Sequence, residues 1–260
     1  MHTRLYRPFA GLVLGAAALA LLPAAPAAAI DVMGTTVAVP VVMHGPGKLS
    51  TQWRTDVWIG NHNSVPKTVT LDLYPTTGGV QSSSVDVGAF AVVKLPDIVL
   101  TTFGLDDAKG LLIASVSGSS AFEVHARVYN TGSAAGEFGQ FEPGIAVDRL
   151  QSQGYLFGLS AVDGNRTNLG LANPNDVASD VHIQISDGGN TASASLDVPM
   201  TPHSLVQIND IFATMGFPPQ ANAQIVVTAP SNDTPIYAYA SVVRDDTGDA
   251  IFLFGTSPNG

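Results

Sequence analysis

Residues 52–74 read QWRTDVWIGNHNSVPKTVTLDLY and residues 164–186 read GNRTNLGLANPNDVASDVHIQIS. Laid over one another at an offset of 112 without a gap, they bring Arg54, Thr55, Asn61, Val65 and Val69 onto Arg166, Thr167, Asn173, Val177 and Val181 as identities. Self-similarity at a fixed offset is the mark of a duplicated structural unit. The match extends outward. VVKLPDIVLTTFG (92–104) meets LVQINDIFATMG (205–216) with one residue of gap, GLLIASV (110–116) meets AQIVVTA (223–229), and AFEVHARVYNTGSAAGEF aligns loosely with PIYAYASVVRDDTGDAIF. The expected division is a first repeat over 30–145 and a second over 146–260, parting in the polar stretch PGIAVDRLQSQ.

Within each copy the apolar residues recur with a period of two, the pattern of half-buried strands. Trp53, Thr55, Val57 and Ile59 share one face, as do Thr167, Leu169 and Leu171. In the next strand Val69, Leu71 and Leu73, or Val181, Ile183 and Ile185, point inward, with Thr70 and Asp72 or His182 and Gln184 outward. The connectors NHNSVP and NPNDVA carry turn chemistry and predict a hairpin between the two strands. DIVLTTFG and DIFATMG predict one short helix per copy, capped by Asp97 or Asp210 and ended by Gly104 or Gly216. Further strands are predicted near 110–116 and 121–130, and near 223–229 and 235–244. The expected fold is therefore all-β: two tandem antiparallel β-sandwich domains of immunoglobulin-like size, each with one short helical crossover.

Residues 1–29 combine a basic start (Arg4, Arg7), an apolar run from Phe9 to Leu22 and an ending Ala27-Ala28-Ala29. That is the layout of a Sec-type signal peptide cleaved near Ala29. The run falls short of the ~20 residues that span a bilayer, and Pro23 and Pro26 break it. A secreted or extracytoplasmic protein is expected, with no membrane association after cleavage. Without that leader the chain carries 21 acidic groups against 9 basic ones, a net −12 that disfavours nucleic acid. No cysteine occurs, so packing alone must hold the fold.

The paired motifs WRTDVWIGN with VTLDLYP, and NRTNLGLAN with VHIQIS, resemble the repeat units of uncharacterised secreted bacterial tandem-repeat proteins with immunoglobulin-like β-sandwich domains. The resemblance implies a binding, adhesion or scaffold module at the cell surface, with a protein or polysaccharide partner, and transfers no catalytic residue. Two sandwiches in one exported chain are also similar to periplasmic pilus chaperones. Those pair dissimilar domains and tend to be basic, whereas this chain is acidic and its halves match.

For chemistry the chain offers little. No G-x-S-x-G elbow occurs, and His44, His62, His125, His182 and His203 show no H-x-x-x-H spacing; four of the five are predicted in turns or on outward strand positions. HGPGKLS (44–50) lacks the spacing of a phosphate loop and predicts a long hairpin loop in the first copy only. The acidic turn RDDTGDA brings Asp245, Asp246 and Asp249 together as an oxygen-rich candidate for calcium, but without the alternating acids or the bidentate Glu, so no cofactor is expected. A hydrolase would need paired acids lining a cleft, and only the clustering of Glu123, Glu137 and Glu142 near one strand end speaks for one. The outward positions are more distinctive. Arg54 with Asp56, and Arg166 with Asn168, share a face and are expected to contact each other, tying a loop to the sheet. Trp58 stands outward where the second copy has Gly170, so it is expected either as a sugar or protein platform, joined by Trp53, Tyr74, Tyr129, Tyr237 and Tyr239, or packed between the two sandwiches. The expected function is non-catalytic binding, with Trp58, Arg54, Asp56 and Tyr74 as the binding residues.

Overall fold

The computed structural model describes residues 32–134, 136–231 and 233–256. The predicted leader, 1–29, lies outside them, and no helix of the described residues is long and apolar enough to cross a membrane. The protein is all-β, built from antiparallel sheets. In chain order the N-terminal half runs Met33–Gly34 (β1), Thr36–Pro46 (β2), Gln52–Gly60 (β3), Lys67–Pro75 (β4), Gln81–Val87 (β5), Val92–Leu95 (β6), the helix Ile98–Thr101 (α1), Ala108–Ser115 (β7), Phe122–Asn130 (β8), Phe138–Pro143 (β9) and Ile145–Ala146 (β10). The C-terminal half runs Gln153–Leu159 (β11), Asn165–Asn173 (β12), Ser179–Asp187 (β13), Ser193–Met200 (β14), Ser204–Ile208 (β15), the helix Ile211–Thr214 (α2), Ala223–Thr228 (β16), Tyr237–Arg244 (β17) and Ala250–Phe254 (β18).

In the N-terminal half β6, β3, β8 and β9 form one layer and β10, β2, β7, β4 and β5 the other. Strand β2 joins them, pairing β7 from Thr36 to His44 and then β3 at Gly45 and Pro46. A register shift between Val39 and Val42, at Pro40, breaks the β2–β7 ladder where proline could not donate to it. In the C-terminal half β15-β12-β17-β18 faces β11-β16-β13-β14. The alternation read from the sequence places the core: Val57, Ile59, Val69, Leu71 and Leu73 are sealed in one cluster, and Leu169, Leu171, Val181, Ile183 and Ile185 in another.

The connectors NHNSVP and NPNDVA are not hairpins. β3 pairs with β2, β6 and β8, and β4 pairs with β5 and β7, so the chain crosses from one layer to the other between them. β12 and β13 repeat this separation. A crossing strand end leaves backbone groups without a ladder partner, and a buried asparagine answers them. The Asn61 amide donates to the carbonyls of Val65 (2.8 Å), Gly88 (3.0 Å) and Val87 (3.3 Å), while its oxygen accepts the Asn63 backbone N–H at 3.0 Å. Asn173 donates to Val177 (2.8 Å) and Thr201 (2.9 Å) and accepts from the Asn175 N–H at 3.0 Å. Asn63 and Asn175 then reach Ala121 and Pro235, each at 2.8 Å.

Both predicted helices are present, and each carries the chain between layers. Asp97 and Asp210 stand immediately before the helices, in the left-handed region at φ 44° and 50°. Asp210 accepts from the Ala213 N–H at 3.3 Å. Asp97 makes no such cap, because its carboxylate is taken by His44. What holds the two helix starts alike is the strand before: Asp56 accepts the Asp97 N–H at 2.9 Å, and Asn168 accepts the Asp210 N–H at 3.1 Å.

The halves meet over a third cluster, in which Leu205, Tyr237 and Tyr239 lie against Ala38, Val41, Leu111 and Ile113 on the outer face of β2 and β7. Tyr237 donates to the Pro143 carbonyl at 2.6 Å and Ser241 to Gln140 at 2.8 Å. Trp53 packs with Val128, Val243 and Ala250.

Removing either buried asparagine leaves the carbonyls it serves, and the amide two residues on, without their side-chain partner. Asn61→Ala and Asn173→Ala are each expected to lower unfolding free energy by about 2–4 kcal/mol in urea titrations. A loss below about 0.5 kcal/mol in both would show that packing alone holds the crossings.

Candidate functional site

Strand alternation buries Val57 and Ile59 and turns Arg54 and Trp58 onto the outer face of the β6-β3-β8-β9 layer. Register sets Trp58 opposite Lys94 on β6 and His125 on β8. The Lys94 ammonium lies 4.9 Å from the Trp58 ring centroid, and the His125 ring stacks 5.4 Å away at 21°. The next ring is Phe141, 5.2 Å from His125 and 59% exposed. Beyond it an apolar groove of about 180 Å³ continues between Pro143, Phe252 and Phe254. The rings thus form a row across the sheet, carried from the N-terminal half to the edge of the C-terminal half.

Charged groups border this row in pairs. Lys94 meets Asp56 at 2.7 Å and Arg127 meets Glu137 at 2.7 Å, with the Arg127 guanidinium 4.8 Å from the Tyr129 ring. Burial works to raise the Asp56 carboxyl, but bonds from Lys94, the Asp97 N–H and Tyr129 hold it below the usual aspartate value. Tyr129, donating to Asp56 at 3.2 Å, is pushed up to about 12 by burial and by that carboxylate.

The predicted binding residues separate. Arg54, Asp56 and Trp58 share the face, yet Arg54 does not contact Asp56. It donates to the Trp53 carbonyl at 2.7 Å and approaches Asp97 at 3.5 Å, because Asp56 is already committed to Lys94 and the helix start. Likewise Arg166 pairs with Asp245 rather than Asn168, whose oxygen serves Asp210. Tyr74 lies elsewhere, stacked on His203 at 4.5 Å and packed at the junction of the halves. Trp53, Tyr237 and Tyr239 are also buried at that junction, leaving Tyr129, opposite Arg54, as the one of these aromatics that shares the face with Trp58. Trp58 belongs to none of the apolar clusters between the halves.

Gly170, which aligns with Trp58 at the offset of 112, has a direct cause. Tyr239 is its cross-strand neighbour, and a Cβ there would fall within the Tyr239 ring. Tyr239 stacks on Phe252 at 5.2 Å, in the same register relation as His125 and Phe141.

His44, the three glutamates and the acids of the last turn take up surroundings that the sequence did not signal. His44 is buried, its Nδ1 2.9 Å from both Asp97 oxygens and its Nε2 3.3 Å from Asp106, so each ring nitrogen already faces a carboxylate. The three glutamates do not act together: Glu123 meets His62 at 3.0 Å, Glu137 meets Arg127, and Glu142 is fully buried beside Gln140, which donates to it at 2.8 Å. Glu142 sits at an inward position of β9, a strand whose inner side is closed by β17, and only the pairing of Ser241 with Gln140 reveals this. The acids of the last turn do not converge either, since Asp245 faces Arg166 and Asp246 forms two bonds with Arg244 at 3.0 and 3.2 Å. Among the described residues no three His, Cys, Asp or Glu side chains group as a metal site.

No protein-family model matches the chain, and no curated protein is significantly similar to it.

Burial pushes the Glu142 carboxyl up to about 8 from an ordinary 4.5, against the opposing pull of the Gln140 bond. The groups around it are Tyr237 and Tyr239 on β17 and, across a shared cavity, His44, Asp107, Lys109 and Arg166. The folded state therefore holds a proton that the unfolded chain releases. The stability this contributes is full below about 4.5 and is lost as pH rises through about 8. Urea titrations across this window should show that loss in the wild type and a flatter profile in Glu142→Gln; equal slopes would refute the buried acid.

Proposed function

We propose that the protein is an exported, non-catalytic β-sandwich binding module, related to secreted bacterial tandem-repeat proteins, whose working surface is the outer face of β6-β3-β8-β9 and whose partner is another protein. In this reading residues 1–29 direct export, and duplication produced the units 30–145 and 146–260. The observation that carries it is the row Trp58–His125–Phe141, which leaves a large apolar ring exposed among paired charges. Exposed aromatic rows with a polar border fit protein contacts.

The counterpart row supports the choice of partner. In the C-terminal half Tyr239 and Phe252 occupy the same register and belong to the cluster on the outer face of β2 and β7, a protein-to-protein contact within one chain. A sugar platform needs a bare ring face, and both faces of Trp58 are flanked, by Lys94 and by His125. That favours a protein surface over a polysaccharide.

Iodide is expected to quench one class of tryptophan fluorescence, lost in Trp58→Phe, while buried Trp53 stays protected. For the partner, a photo-crosslinker at position 141 in the producing cell should give a discrete protein adduct that Trp58→Ala abolishes. Binding to a glycan array that Trp58→Ala removes, with no adduct, would overturn the protein assignment.

A further inference from the structure

Between the halves lies a cavity of about 360 Å³, on the opposite side of β9 from the aromatic row and unused by the binding surface proposed above. Its walls come from both halves: Lys109 on β7 and Glu142 on β9 from one, Arg166 on β12 and Gln207 on β15 from the other. Two polar atoms in these walls are sealed from solvent and have no hydrogen-bond partner among the described residues, Glu142 Oε2 and Arg166 Nε. Buried polar atoms in a folded protein are almost always paired; both orphans belong to side chains that line the cavity from opposite halves, and a ligand pairs them as those side chains turn inward. Lys109 adds a third group. It is half-buried, its ammonium reaches Gln207 at 3.5 Å and no carboxylate among the described residues, and burial lowers its pKa.

The chemistry of the walls identifies the ligand class. The other basic side chains lining the cavity are Lys48, on the exposed loop, and His44, whose ring nitrogens already face Asp97 and Asp106. Of the acids, Asp107 is exposed, and Glu142 is held in its protonated form by burial, so it presents an O–H donor rather than a second negative charge. In a chain this acidic, the cavity gathers donors and cationic side chains. Its size suits a molecule no larger than a monosaccharide, at the small end of ligand pockets, which span roughly 300–1,000 Å³.

We propose that this cavity is a binding site for a small polyhydroxy carboxylate of sugar-acid size, with its carboxylate on Lys109 and the Arg166 guanidinium, which turns into the cavity, and a hydroxyl or carboxylate oxygen on Glu142. Because the walls come from both halves, the ligand also clamps them together. A bound anion beside Glu142 strengthens the carboxyl's hold on its proton, so affinity falls once the pH rises high enough to ionise it.

The test is calorimetric titration of the full exported chain with D-glucuronate, D-gluconate and L-tartrate, with D-glucose as the neutral control. At least one acid is expected to bind saturably and raise the melting temperature, while glucose does neither. Lys109→Met, shown folded by circular dichroism, should weaken that binding by about tenfold or more, the loss of one charge-assisted contact. Glu142→Gln should still bind below neutral pH but lose the alkaline decline. Trp58→Ala should bind like the wild type, so failure here and failure of the aromatic surface are distinguishable. Absence of saturable binding to all the acids, equal binding of glucose, or binding unaffected by both Lys109→Met and Arg166→Met would overturn the proposal.

Discussion

A single buried amide on each side of the molecule decides how its layers are connected. When a strand leaves one sheet and enters the sheet facing it, the backbone at the crossing loses its ladder and needs other partners. Asn61 and Asn173 supply them, donating to carbonyls across the crossing and accepting the amide two residues on. An unpaired buried amide costs on the order of 1–3 kcal/mol, so these bonds determine where the chain turns. Around them, other polar residues serve the same end. Thr55 brackets Met43 and Thr167 brackets Ser160, each accepting an N–H and donating to the carbonyl of the same residue. Asp56 and Asn168 hold the helix starts.

These residues explain why the R-T-D and R-T-N strands are so alike. Thr, Asp or Asn and the later Asn are the backbone's partners at three bends of the chain. The arginines are less uniform: Arg54 turns toward the helix start and Arg166 toward the last hairpin. Identity at the arginine positions thus does not extend to identity of contact, because the acceptors belong to loops that differ between the halves.

The two halves also differ in what covers the same surface. In the C-terminal half the outer face of β12 and β17 is closed by the N-terminal half, and Gly170 is small because Tyr239 lies over it. In the N-terminal half the corresponding face carries Trp58, His125 and Phe141. Packing one half on the other produces two distinct places at once: an apolar seam around Tyr237 and Tyr239, and beside it the polar cavity in which Glu142 and Arg166 face each other's halves.

The all-β class, the inward residues of each strand and the two short helices were legible in the sequence, because alternation, glycine and proline act over a few residues and need no neighbour to be read. Asn61 and Asn173 were legible as a repeated position, but their turn chemistry fits a hairpin as well as a crossing, and only strand pairing separates the two. The sequence also marked Trp58 against Gly170 without its cause, the Tyr239 ring on the adjacent strand. Tertiary structure alone decided that Tyr74 stands apart from Trp58, that His44 and Glu142 are buried, and that three glutamates close in sequence lie in unrelated surroundings. The physical reason is common to all of these: a side chain's orientation follows from its own strand, but its burial and charge depend on what packs over it, and here that comes from the other half of the chain or the next strand of the sheet.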